Sequence, residues 1–153
     1  MSAHTIFECA PLGALVVWSD GTPRPPARHR RNLDASKTSN SQGRLIRKQD
    51  PSGAGLLDPH ASFTLREADY GAGGVVAIRV HRTFSLASSL SFDIVERSAA
   101  GSVREFDNGG DDAELVVLAP NRAAAEHGYP NAVLEDVSAD EAAADSVEGR
   151  APA

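Results

Sequence analysis

The residues able to do chemistry are few and scattered. His81 draws attention first, because Arg79 and Arg82 accompany it in residues 74–84, GVVAIRVHRTF. An imidazole among guanidiniums could hold an anion or act as a general base. No serine lies in a nucleophile-elbow setting, and Asp58-Pro59-His60 is a turn with no nucleophile beside it. His81 thus reads first as an amphipathic residue at the solvated end of a strand, and second as the start of a site assembled from distant residues.

Metal and phosphate chemistry find no footing. His4, His29, His60, His81 and His127 form no i, i+3 or i, i+4 pair and no HExxH pattern. Cys9 is alone, which excludes an intrachain disulfide and a multi-cysteine zinc site; it reads as a small apolar residue. Residues 107–112, DNGGDD, have the composition of a cation loop. Their glycines fall wrongly for an EF-hand, however, and its twelfth position is Leu118, so they read as a hairpin turn. Gly71, Gly73 and Gly74 precede a strand instead of linking a strand to a helix, so they are turn formers and not a phosphate cradle. No cofactor and no catalytic constellation is expected.

The charge distribution carries more weight. The 153 residues sum to −6, yet residues 22–48 hold eight bases against Asp34 alone, and residues 105–148 hold twelve acids against Arg122 alone. Arg24, Arg28, Arg30, Arg31, Arg44, Arg47 and Lys48 form the candidate polyanion surface. Two features restrain that reading. Residues 22–48 contain no Phe, Tyr or Trp on which bases could stack. A chain rich in Ala, Gly and Arg is also what a GC-rich bacterial coding sequence produces, so Arg over Lys is not itself phosphate recognition. The arm could equally fold against the acidic half.

The elements that must position these residues follow from patterning. Residues 14–19 (ALVVWS) form a first strand with Val16 and Trp18 on one face, closed by Asp20-Gly21. Pro23, Pro25 and Pro26 then bar strand structure, and residues 27–36 predict a marginal helix with Leu33 as its one packing residue. Residues 43–48 (GRLIRK) read as a short strand at a sheet edge, and residues 50–59 as a loop. In residues 61–66 Phe63 and Leu65 point inward, as do Leu90, Phe92 and Ile94 in residues 90–96. Between them, residues 67–73 lead as a loose hairpin connection into residues 74–84. That strand reads as interior to the sheet, with Val76, Ile78 and Val80 packed on Phe63, Leu65, Phe92 and Ile94. Residues 102–106 and 113–118 form a hairpin. Asn121 caps a short helix over 122–127, and residues 132–137 return as a strand at a spacing that admits a small right-handed βαβ unit.

The fold class is therefore α+β: mainly an antiparallel β-meander, with one short C-terminal helix and a disordered acidic tail. The expected division is a first strand in residues 1–21, a basic flexible arm or insertion in 22–42, a β-rich α+β core in 43–138 and the tail in 139–153. An apolar share of 41%, slightly below the roughly 45–50% usual for globular domains in a count that includes Gly, fits a chain that leaves part of itself unpacked. No stretch approaches a membrane span and residues 1–20 lack a basic n-region, so the expected home is cytoplasmic with no membrane partner. The function expected first is that of a small cytoplasmic, bacterial-type accessory or interaction protein with a protein partner. The alternatives are a nucleic-acid-binding accessory protein using residues 24–48, and an enzyme built around His81.

Overall fold

The computed structural model describes residues 1–50, 61–110 and 112–142. Two antiparallel sheets make the framework. The larger has five strands: β1 (Leu15–Ser19), β2 (Ser41–Gln49), β3 (Ser62–Ala72), β4 (Val75–Ser85) and β5 (Ser91–Glu96), in the order β4-β3-β2-β1-β5. The smaller has three: β6 (Val103–Phe106), β7 (Leu115–Ala119) and β8 (Val133–Asp136), in the order β7-β6-β8. Helices α1 (Ala3–Cys9), α2 (Arg30–Ser39) and α3 (Arg122–Ala125) accompany them among the described residues, and residues 139–142 are helical as well.

The period-two residues of the strands build the core. Val16, Trp18, Leu45, Phe63, Leu65, Phe84 and Phe92 are buried together on one face of the larger sheet. Four of these rings interlock: Trp18–Phe84, Phe63–Phe84, Phe63–Phe92 and Phe84–Phe92 have centroids 5.1–5.6 Å apart, in tilted or edge-on geometry that suits the ring quadrupoles. Helix α1 adds Ala3, Ile6 and Ala10 to this core. It was not foreseen in the sequence. It starts because Ser2 Oγ accepts the Thr5 amide at 3.2 Å, an N-cap worth about 1 kcal/mol.

The structure corrects three expectations about strand order. Residues 43–48 were expected at an edge, yet β2 lies between β1 and β3, so both of its edges are hydrogen-bonded. Leu45 enters the aromatic core, and across a register shift Ile46 joins Phe106 and Leu115 of the smaller sheet. Conversely, β4 is an edge strand and not an interior one; its Phe84 reaches the core, but of the three residues expected there Ile78 is 61% exposed, Val76 43% and Val80 only half-buried. Finally, residues 67–73 are not a loose connection. β3 runs on to Ala72, and Gly73-Gly74 alone make the turn with φ of +62° and +79°, the positive pair that a tight hairpin turn requires and glycine supplies without strain.

Around α3 the local expectations hold. Asn121 Oδ1 accepts the Ala124 amide at 2.9 Å, which caps the helix. β8 does not pair with β7: both lie antiparallel to β6, one on each side of it. Residues 50–59, expected as a loop, fall outside the described residues apart from Asp50, as does the acidic stretch after Ala142. Ahead of it, Ser138 Oγ accepts the Glu141 amide, and Glu141 binds the buried Arg104.

Candidate functional site

Seven of the eight bases of residues 24–48 divide into two groups, and the eighth, Lys37, pairs with Asp34 on α2 at 3.9 Å. Arg24, Arg28, Arg30 and Arg31 are in or just before α2, and none of them forms an ion pair among the described residues. α2 buries no residue and is tethered at its far end, where the Thr38 carbonyl accepts from Trp18 Nε1 (3.2 Å) and Arg82 (3.0 Å). Arg44, Arg47 and Lys48 lie instead on the interior strand β2. Arg44 donates to the Gly13 carbonyl and reaches Glu96 at 3.4 Å. Arg47 Nε is buried without a hydrogen-bond partner among the described residues. Lys48 lies over the Phe7 ring at 5.7 Å, and burial lowers its pKa from the ordinary lysine value. These three serve the framework, so the expected seven-residue surface is not continuous. Among the described residues, no ion pair joins the first group to the acidic half.

His81 and its neighbours are matched to acids within the fold. His81 Nε2 lies 3.6 Å from Glu114, Arg79 Nε 3.7 Å from Asp69, and Arg82 3.4 Å from Glu67. Arg82 also covers the Trp18 ring at 5.5 Å. His81 lines none of the cavities described here, and no nucleophile accompanies it among its hydrogen-bond partners. Among the described residues no cluster of three His, Cys, Asp or Glu could hold a metal.

The surface feature that stands apart is the β3–β4 ribbon. β2 pairs with β3 only up to Arg66, whereas β3 and β4 pair on to Ala72 and Val75. Beyond Arg66 the ribbon is therefore two-stranded in the larger sheet. It exposes Tyr70 (61%) and Val75 (69%) together with Val76 and Ile78. A two-stranded ribbon on its own is marginally stable in water, and exposed apolar edges attract further strands. The ribbon is held at one point by Arg79, which donates to Tyr129 Oη at 3.0 Å and lies over its ring at 5.9 Å.

Beside the ribbon tip opens a groove of about 520 Å³, bounded by Gly74, β7, α3 and the segment through Pro130. Its lining includes Glu105, a buried carboxylate on the central strand of the smaller sheet. In the sequence, a Glu on a short strand reads as solvent-facing, so nothing on β6 itself marks Glu105. The one local signal was Gly128-Tyr129-Pro130, a close-approach glycine next to an aromatic residue.

The chain belongs to the family described as Uncharacterised conserved protein UCP036055, whose profile matches residues 1–141. No curated protein and no solved structure matches it. Among the described residues no helix is long and apolar enough to cross a membrane.

Proposed function

We propose that this protein is a small cytoplasmic, bacterial-type accessory protein that works by binding another protein, with the β3–β4 ribbon as its docking element. The observation that carries this reading is the edge strand β4, which presents Val75, Val76 and Ile78 to solvent where an interior strand would bury them. An extended apolar segment of the partner would add to β4 as a further strand. Main-chain hydrogen bonds would supply affinity and alternate side chains specificity. The bases on β4 are matched to Asp69, Glu67 and Glu114 within the chain, so the docking edge selects for apolar side chains and not for acidic ones.

Site-specific photo-crosslinking in the native host tests this. A benzoylphenylalanine placed at Val76 should give one defined adduct with another protein. The same probe at Asp93 on the opposite edge strand should not, and Ile78→Lys, which plants a charge on an exposed edge, should abolish the adduct. No adduct, an adduct that survives Ile78→Lys, or an adduct only with a second copy of this chain would overturn the reading.

A second reading rests on the four exposed arginines before and within α2. Arg24, Arg28, Arg30 and Arg31 carry no internal ion pairs among the described residues and leave four cations for a polyanion such as nucleic acid.

A further inference from the structure

β6 is the middle strand of its sheet, and Glu105 on it is 1% exposed. Its carboxylate has one hydrogen-bond donor among the described residues, the Tyr129 amide, 3.2 Å from Oε2. No Lys, Arg or His among them lies within ion-pair distance. An interior carboxylate loses its hydration and is ordinarily compensated by a counter-cation or by several donors. Here one amide does that work.

The surrounding chain is shaped to the carboxylate. A Cβ added to Gly128 would overlap both oxygens of Glu105, so the segment after α3 closes over the acid only because that residue is glycine. The groove is lined by Val117, Leu118 and Pro120, which supply apolar wall, and by His127 and the half-exposed Tyr129. A buried charge at one end of an apolar groove recognises a ligand with the opposite charge on a short hydrocarbon stem.

We propose that this groove binds an organic cation, a primary ammonium or guanidinium on an alkyl stem, with its head on Glu105 and its stem along Val117, Leu118 and Pro120. The cation could arrive as a free amine or as a Lys or Arg side chain of a protein; the chemistry at Glu105 is the same. The assignment does not rest on strand addition at β4, and Ile78→Lys should leave it intact.

Amide-resolved NMR titration of the full chain tests it. The probes are n-butylammonium, Nα-acetyl-arginine N-methylamide and n-butanol. Both cations should shift the Gly128 and Tyr129 amides saturably, with a dissociation constant of about 1–10 mM for such small ligands, and n-butanol should not. A tenfold preference for the arginine derivative would assign the site to a peptide side chain, and parity to a free amine. Glu105→Gln keeps the volume and the acceptor for the Tyr129 amide, and should abolish saturation. Failure of either cation to saturate by 50-fold excess over that range, an equal response to n-butanol, or saturation that persists in Glu105→Gln would each overturn the proposal. If Glu105→Gln does not fold, the comparison of cation with alcohol on the unaltered chain decides.

Discussion

Gly128 and Glu105 are far apart in the chain and in contact in the fold, so each can be tested through the other. Gly128→Ala forces a methyl group into the Glu105 carboxylate and should destabilise the protein by about 1–3 kcal/mol. Glu105→Ala removes the obstacle. The double variant should therefore be markedly more stable than the sum of the two single losses implies, as read from thermal denaturation of all four forms. Strict additivity would show that the two residues do not touch. Asp20 provides a second test at this scale. Its side chain accepts from the Thr22 hydroxyl (2.5 Å), the Thr22 amide (2.9 Å) and Asn40 (3.1 Å). The Thr22 hydroxyl first, then that amide and Asn40, lower its pKa from 3.8 to about 2. The folded-state pKa is thus below the unfolded one. The linked stability is fully present above about 4 and is lost as pH falls through about 2. A carboxyl-carbon NMR titration should place the Asp20 midpoint near 2, and Thr22→Val should move it upward; an unmoved midpoint would refute the cause.

At the scale of elements, α2 and β4 show what patterning conveys and what it omits. The thin apolar stripe of residues 27–36 implied a helix that docks weakly; the helix forms three residues later, over Arg30–Ser39, where it buries nothing and its Thr38 carbonyl accepts from Trp18 and Arg82. Arg82→Met should remove one of those two donors and the cation over Trp18. We expect amide exchange in residues 31–39 to quicken about tenfold while the melting temperature moves little, since the Met side chain can still cover the Trp18 ring and no core residue is truncated. A global loss of protection would mean that α2 is part of the core. The period-two strands of the aromatic core were equally legible, because Phe63, Leu65 and Phe92 alternate with polar residues, and alternation is itself a statement about two faces. The alternation in β4 carried no such information. Val75, Val76, Ala77 and Ile78 are consecutive apolar residues, the mark of a strand covered on both faces, and the fold leaves them at an edge. Periodicity records which residues share a face, not how many strands lie beyond it. Glu105 was missed for the complementary reason: its burial is imposed from outside β6, by a glycine in the segment after α3.

For the whole molecule, charge asymmetry predicted a partner for the arm, either a polyanion or the acidic half of the same chain. The described residues disfavour the internal pairing. Glu135 and Glu141 go to Arg104, Asp136 to Arg122 and Glu114 to His81, all outside the arm. What remains available is smaller than the sequence implied, because β2 has drawn Arg44, Arg47 and Lys48 into the sheet. That sets a limit on any nucleic-acid affinity. Four exposed arginines neutralise at most four phosphates, so the log–log dependence of affinity on salt should have a slope no steeper than about −3.6 on duplex DNA and about −2.8 on single strands. Fluorescence anisotropy with labelled oligonucleotides between 20 and 200 mM salt measures it. Neutralising Arg28, Arg30 and Arg31 together should reduce the slope by about 2–3 and weaken all sequences alike. Replacing Arg44 should instead lower stability, by freeing the Gly13 carbonyl and Glu96, and leave the slope unchanged. A slope well beyond four phosphates, or one that falls when Arg44 is replaced, would show that β2 contributes to the binding surface and that the arm and sheet act as one cationic face.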